Sequence, residues 1–189
     1  LQSQLESLKE QVKPHFLFNS LSTLIGLIDE DKERAKKFVE ELAFVYRYLL
    51  QSSEKPLIPL SEELAFIKAY YFLLKTRFDE RLLLDIYVGN EIAQQMIPPL
   101  TLQILLENAV KHNIISQETP LHIVISEVNS NKVVISNTLQ RRAQSVVSTQ
   151  TGLANLAAKY QLMQQPGPEI FETQDKFSVQ ITLLPNQAS

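Results

Sequence analysis

The chain has 189 residues, of which 44% are hydrophobic and 21% charged, so it has the composition of a folded protein and not of a disordered one. A net charge of −3 with no basic stripe argues against nucleic-acid binding, and the absence of cysteine excludes disulfides and thiolate metal sites while leaving a reducing compartment open. No apolar run reaches the length of a membrane span, and no signal peptide is visible.

The first predicted helix runs from Leu1 to about Ile28. Leu1, Leu5, Leu8, Val12 and His15 recur at spacings of four and three, the seam of a coiled coil or bundle helix. Pro14 interrupts it, because its ring nitrogen has no hydrogen to donate and its ring crowds the carbonyl of Glu10, so a bend is expected there. The seam opens in mid-heptad, with neither Met nor helix cap, the mark of a piece cut from a longer protein whose remainder could carry a membrane sensor. His15 has two readings at this point: a polar residue tolerated on a bundle surface, or a nucleophile, since a neutral imidazole attacks well near pH 7.

A second helix follows Asp29-Glu30-Asp31, with Ala35, Phe38, Val39, Leu42, Val45, Tyr46 and Leu49 on one face. The short connection predicts an antiparallel hairpin, and two helices with such wide apolar faces predict a four-helix bundle in a homodimer. Two prolines make Lys55–Leu60 a stiff linker. Ser61 reads as the N-cap of a third helix, with Glu62 and Glu63 in its first turn, a face of Leu64, Ile67, Tyr71, Leu74 and Phe78, and an end near Phe78.

From Arg81 the period changes to two. Leu82 to Val88 reads as a strand ended by Gly89-Asn90. A helix from Leu100 to about His112 follows Pro98-Pro99, and Asn113 closes it. Leu121–Ile125 and Val133–Ser136 read as strands joined by Asn129-Ser130-Asn131. Thr138–Thr151 reads as a mobile loop, Gly152 to about Met163 as a helix, and Ile170–Glu172 with Phe177–Leu184 as a final hairpin. His122 alternates outward on its strand and needs no special role. The fold class expected is α+β, with a helical part over residues 1–80 and a two-layer sandwich of helices on a mostly antiparallel sheet over 81–189.

Glu107-Asn108-Ala109-Val110-Lys111-His112 ends an otherwise apolar helix. Glu107, Asn108, Lys111 and His112 span one turn and share a side, so a carboxylate, an amide, an ammonium and an imidazole converge. That set suits a Mg²⁺–phosphate group, with the Asn108 oxygen toward the metal, Lys111 and His112 toward phosphate, and Glu107 holding a water or accepting a proton. Asn19 lies one helical turn after His15 on the same face.

With these residues in place, the chain resembles the LytS-like sensor histidine kinases over nearly its whole length. Val12-Lys13-Pro14-His15-Phe16-Leu17-Phe18-Asn19-Ser20-Leu21 is similar to that family's phosphoacceptor box. Arg47-Tyr48-Leu49-Leu50 and Tyr70 through Phe78 resemble its next two segments. Ile97-Pro98-Pro99-Leu100, Gln103 and Glu107–His112 resemble its N box, and Gly152-Leu153-Ala154-Asn155-Leu156 its glycine box. Two long ordered boxes are specific where a lone glycine motif is not.

The resemblance implies a dimeric phosphoacceptor bundle feeding a Bergerat-type domain that binds ATP and Mg²⁺. His15 would accept the phosphoryl group and pass it to an aspartate of a response regulator. The implied metal ligand is Asn108, and the nucleotide contacts are Asn108, Lys111, His112, Asn137, Gly152, Leu153 and Asn155. Asn19 would orient a water for phosphatase activity, or serve as a structural amide of the bundle seam. The loop Thr138–Thr151 would be a lid, and Lys55–Leu60 or the region of Phe78 the joint that swings the ATP domain onto His15. The chain would be a cytoplasmic core anchored to the bacterial inner membrane through a sensor region outside this sequence.

The sequence departs from the wider superfamily at Asn137-Thr138-Leu139, where an Asp-x-Gly-x-Gly run is usual, at Gln150-Thr151-Gly152, which keeps one glycine of two, and at Lys159 in place of arginine. These departures define the alternative, a degenerate pseudokinase scaffold with little ATP turnover. A non-kinase ATPase of the same superfamily fits less well, because it has no use for a histidine helix ahead of the ATP domain.

Overall fold

The computed structural model describes residues 14–52, 55–140 and 150–186. The elements in chain order are α1 (Pro14–Glu30), α2 (Lys32–Ser52), β1 (Ile58–Pro59), α3 (Leu60–Phe78), β2 (Leu82–Tyr87), α4 (Asn90–Ala93), β3 (Met96–Ile97), α5 (Thr101–His112), β4 (Leu121–Asn129), β5 (Lys132–Thr138), α6 (Gln150–Leu162), β6 (Glu169–Glu172) and β7 (Lys176–Thr182). The fold is α+β, as the sequence indicated. The seam through Val12, the bend it shares with Pro14 and the centre of the expected lid fall outside the described residues.

α1 is rich in hydroxyl and amide side chains that usually disfavour helix interiors. Its hydroxyls instead bond back one turn, Ser20 Oγ to Phe16 O (2.8 Å), Ser22 Oγ to Phe18 O (3.0 Å) and Thr23 Oγ1 to Asn19 O (3.0 Å). The chain reverses at Asp31, whose Oδ1 accepts from the backbone N–H of Glu33 and Arg34, both at 3.1 Å, and so caps α2. Phe16 near the start of α1 meets Tyr46 near the end of α2 at 6.2 Å between ring centroids, which closes the expected antiparallel hairpin. Ala35, Phe38, Leu42, Val45 and Leu49 are buried, whereas Val39 is exposed and Tyr46 half-buried.

Two expectations for the linker and the third helix are corrected. Ile58–Pro59 pairs antiparallel with Met96–Ile97, Leu60 N donates to Gln95 O (2.7 Å), and Ile58 and Leu60 are buried, so this half of the linker is anchored and is not a joint. The region of Phe78 is tied as well, because Arg81 Nε donates to Phe78 O (2.9 Å) and Nη2 to Arg77 O (3.2 Å), closing the α3 C-terminus. Ser61 is not the cap of α3: helix begins at Leu60, the flanking residue is Pro59, and no side chain caps it. Leu60, Leu64, Phe66, Ile67, Ala69, Tyr70 and Leu73 are buried, so α3 is covered on most sides, by α2 on one and by α5 and β2 on others.

The sheet has the order β2-β4-β5-β7-β6, with β2 parallel to β4 and all other pairs antiparallel. A parallel pair requires a crossover, and α5 lies within it, which sets α5 over the sheet. Registers such as Leu82↔Leu121, Ile125↔Ile135 and Ile135↔Val179 line up one apolar face, buried beneath the helices. The other face carries Asp85 and His122, whose Oδ2 and Nε2 lie 2.7 Å apart, in keeping with the plain role expected for His122. The buried core runs without a break from Leu27 to Leu183, across the expected boundary at residue 80. No helix among the described residues is long and apolar enough to cross a membrane.

Candidate active site

α5 starts in an unusual way. Pro98 and Pro99 hold the chain out of helix, and Leu100 then takes φ 68°, a left-handed conformation that costs a residue with a side chain of the order of 1–3 kcal/mol. It is held there by a buried carboxylate from another element. Glu63 of α3 accepts from Leu100 N at 2.6 Å through Oε1 and from Leu102 N at 2.9 Å through Oε2, satisfying N–H groups that a helix start leaves open. Tyr48 of α2 donates its hydroxyl to the same Oε1. Burial pushes the Glu63 carboxyl above its ordinary range, against the opposing pull of Tyr48, the two N–H donors and Lys159. The Tyr48 hydroxyl is also pushed up, first by burial and then by the charge of Glu63.

The polar end of α5 is anchored by a second pair of this kind. Tyr70 of α3 donates to Glu107 Oε1 (2.8 Å), and the buried Gln103 donates to the same oxygen through Nε2 (2.8 Å). The Tyr70 hydroxyl is raised well above its usual range by burial and by Glu107. Glu107 therefore holds Tyr70 and Gln103, and through this oxygen it is a structural acceptor. Asn113 closes α5 as expected: its Nδ2 donates to Ala109 O (2.8 Å) and its Oδ1 accepts from Gln140 N (2.6 Å).

Asn108 is half-buried, and its Nδ2 is a buried donor without a hydrogen-bond acceptor. Lys111 is exposed and His112 half-buried on the same turn. Across from them, a Cβ placed on Gly152 of α6 would lie 3.0 Å from Ile104 Cγ2 of α5, so Gly152 permits the two helices to approach closely. Leu153 packs on the core, Asn155 is exposed, and the Asn137 amide is buried and donates to Thr138 O (2.7 Å). An unsatisfied amide end beside a cation, at a close crossing of two helices, fits the edge of a triphosphate. Among the described residues no three His, Asp or Glu side chains gather to hold a metal unaided. An amide oxygen such as that of Asn108 is a hard donor of the kind that can share Mg²⁺ with phosphate oxygens.

His15 is exposed on α1 and shares a face with Asn19 as the four-residue spacing predicts, and Asn19 Nδ2 lies 3.2 Å from its Nδ1. The amide nitrogen is the donor in this pair, so Nδ1 accepts and the ring proton sits on Nε2. The tie between α1 and α5 runs through Phe16, whose ring centroid lies 5.2 Å from that of Tyr70, the residue that holds Glu107. The sequence placed Glu63 in the first turn of its own helix and Tyr48, Tyr70 and Gln103 within segments of the resemblance, but gave none of them this anchoring role. The legible signal was a carboxylate at position 63 within the apolar stripe of Leu60, Leu64 and Ile67.

Residues 3–82 match the family model described as histidine kinase. The sensor protein LytS of Bacillus cereus is 36% identical over 110 residues, which is 58% of this chain and 19% of that protein. The sensor histidine kinase/phosphatase LytS of Staphylococcus aureus is 31% identical over 144 residues, which is 76% of this chain and 25% of that protein. Among solved structures, the Acinetobacter baumannii histidine kinase AdeS matches at 15% identity and a TM-score of 0.46, over 91% of this chain and 96% of that one. The class is that of the histidine kinases. Within it, the chain belongs to the LytS-like sensor kinases, and it spans a quarter or less of the length of these two curated relatives.

Proposed function

We propose that the chain is the kinase core of a two-component sensor, transferring the γ-phosphoryl group of ATP to His15 and from there to an aspartate of a response regulator. The observation that carries this reading is the connection between the exposed imidazole helix and the α5 polar end: Phe16, next to His15, packs on Tyr70, which holds Glu107 of the same turn as Asn108. Bound MgATP would supply the phosphoryl group and its leaving group, ADP. A ring nitrogen lone pair of His15 forms the new N–P bond as the bond to the ADP oxygen breaks, and the proton on the other ring nitrogen passes to water. Asn19 sets the ring tautomer: with its Nδ2 donating to Nδ1 the ring proton sits on Nε2, and turning the amide so that its oxygen accepts from Nδ1–H would free the Nε2 lone pair for attack. Asn108 and Lys111 offset phosphate charge, and Asn137, Gly152, Leu153 and Asn155 shape the remaining wall.

The test is labelling of the whole chain with γ-³²P-ATP. Acid-labile, base-stable label that disappears in His15→Gln is expected, and absence of label on wild-type protein would reject the reading. The Asn137 amide, bound to its neighbour's carbonyl where a carboxylate is usual, favours one alternative, a pseudokinase scaffold that binds partners with little turnover. ATP binding without label would identify it.

Asn19 is proposed to act also in dephosphorylating the regulator, by orienting a water. One of the relatives is named a kinase/phosphatase, and Asn19 is half-buried beside the phosphoacceptor. In Asn19→Ala, regulator dephosphorylation should fall by roughly tenfold or more, about 1.4 kcal/mol of barrier; an unchanged rate would remove the role.

The working unit is proposed to be a homodimer, because Phe18, Leu21, Ile25 and Ile28 form an exposed apolar stripe along α1 at spacings of three and four. We keep the functional division at residue 80 as part of the same proposal, the histidine and dimer contacts lying before it and the nucleotide contacts after it. Attachment to the inner membrane, with this core in the cytoplasm, is proposed from the much greater length of the LytS sensors.

A further inference from the structure

We infer that Glu63 is a positioning residue for the α5 site, and that Tyr48 makes its setting depend on where the α1–α2 hairpin sits. The inference rests on the reading of α5 as the nucleotide helix.

Three observations point to it. First, both Glu63 oxygens are spent on the start of α5, and one of the two N–H groups belongs to Leu100, the strained left-handed residue from which the helix is launched. Releasing Leu100 would let the first turn relax and carry the helix with it. Second, α5 is one rigid rod of 12 residues, and Asn108 stands six residues, roughly 9 Å, beyond Leu102. A shift at the start is therefore delivered at the polar end. Third, the residue that completes the Glu63 pair is not on α3 or α5. Tyr48 belongs to α2, and its ring stacks on Phe66 at 4.2 Å; Phe66 lies 5.9 Å from Tyr70, and Tyr70 lies 5.2 Å from Phe16. One row of rings thus runs from the end of α2 to the residue after His15, with a carboxylate of the α5 anchorage at each of its two tyrosines on that row. Displacing the hairpin from α3 separates Tyr48 from Glu63 and disturbs the start of α5.

The experiment compares wild-type chain with Tyr48→Phe and Glu63→Gln by backbone-amide NMR, and titrates each with MgATP. Tyr48→Phe keeps the ring, the carboxylate and both N–H bonds, so folding is preserved even where Glu63→Gln is damaged. Expected are amide shifts at Leu100 and Leu102 that reappear at Asn108 and Lys111, and a loss of MgATP affinity of about 3- to 10-fold, the range of one hydrogen bond. A role confined to capping would move the first turn alone; shifts limited to Leu100–Gln103 with affinity unchanged would overturn the inference. Should wild-type chain bind no MgATP, the nucleotide reading fails by itself, and the amides of Asn108 and Lys111 still decide whether Glu63 positions the far end.

Discussion

α1 and α5 are both amphipathic helices bearing a histidine and an asparagine, yet they are held in opposite ways. On α1 only Ser20 and Leu27 are buried among its described side chains, and Phe18, Leu21, Ile25 and Ile28 face outward. On α5 Thr101, Leu102, Gln103, Leu105, Leu106 and Ala109 are buried, and both ends are tied by carboxylates. The helix proposed to hold nucleotide has its geometry fixed by its own chain. The helix that carries the proposed phosphoacceptor leaves Phe18, Leu21, Ile25 and Ile28 free for something else. This difference suits the proposed roles, a rigid nucleotide site on the covered helix and a phosphoacceptor that meets two partners on the open one.

Removing what covers α3 and α5 should do the most damage. Phe66 is fully buried between Tyr48 and Tyr70, and Phe66→Ala should cost about 3–5 kcal/mol of unfolding free energy in urea melts. A cost below about 1 kcal/mol would mean that the row of rings is not a packed unit. Next in size is the open face of α1. Ile25→Asp should weaken self-association at least roughly tenfold in sedimentation equilibrium while leaving the secondary structure of the chain intact; an unchanged dimer would move the interface elsewhere.

A smaller and more specific effect tests the anchorage. The folded-state carboxyl of Glu63 is raised, chiefly by burial, so the folded chain holds its proton where the unfolded chain has lost it. Its contribution is therefore complete below the ordinary carboxylate range and is lost as pH rises through the raised value. Tyr48 of α2, the Leu100 and Leu102 N–H groups and Lys159 oppose this shift, while Tyr160 of α6 feels the same charge. Relative to Glu63→Gln, which does not titrate, wild-type protein should lose stability in urea midpoints as pH rises above the ordinary carboxylate range. The opposite slope would mean that the donors outweigh burial.

Most of the element plan was legible in the sequence, because hydrophobic period and helix stop signals act over a few residues. The Asp31 reversal, the α3 end at Phe78, the Asn113 closure of α5 and the β4–β5 turn at Asn129–Asn131 are all local. That His15 and Asn19 share a face was legible for the same reason, since one helical turn joins them. Ser61 misled because the helix starts two residues earlier than that cap implies, at Leu60 after Pro59, with the Leu60 N–H taken by Gln95 O.

What the sequence determined unaided was the set of chemical groups, their boxes and the helices and strands that bear them. Tertiary structure alone decided what those groups touch. Glu63 looked like a charge for its own helix and instead serves the start of another, and Glu107 looked available for a proton and is held by Tyr70 and Gln103. The linker looked like a joint and half of it became a buried strand pair. Apart from Gln103, four residues from Glu107 on the same helix, these depend on partners some 37 to 39 residues apart, brought together by burying apolar surface, and no spacing rule along the chain reaches that far.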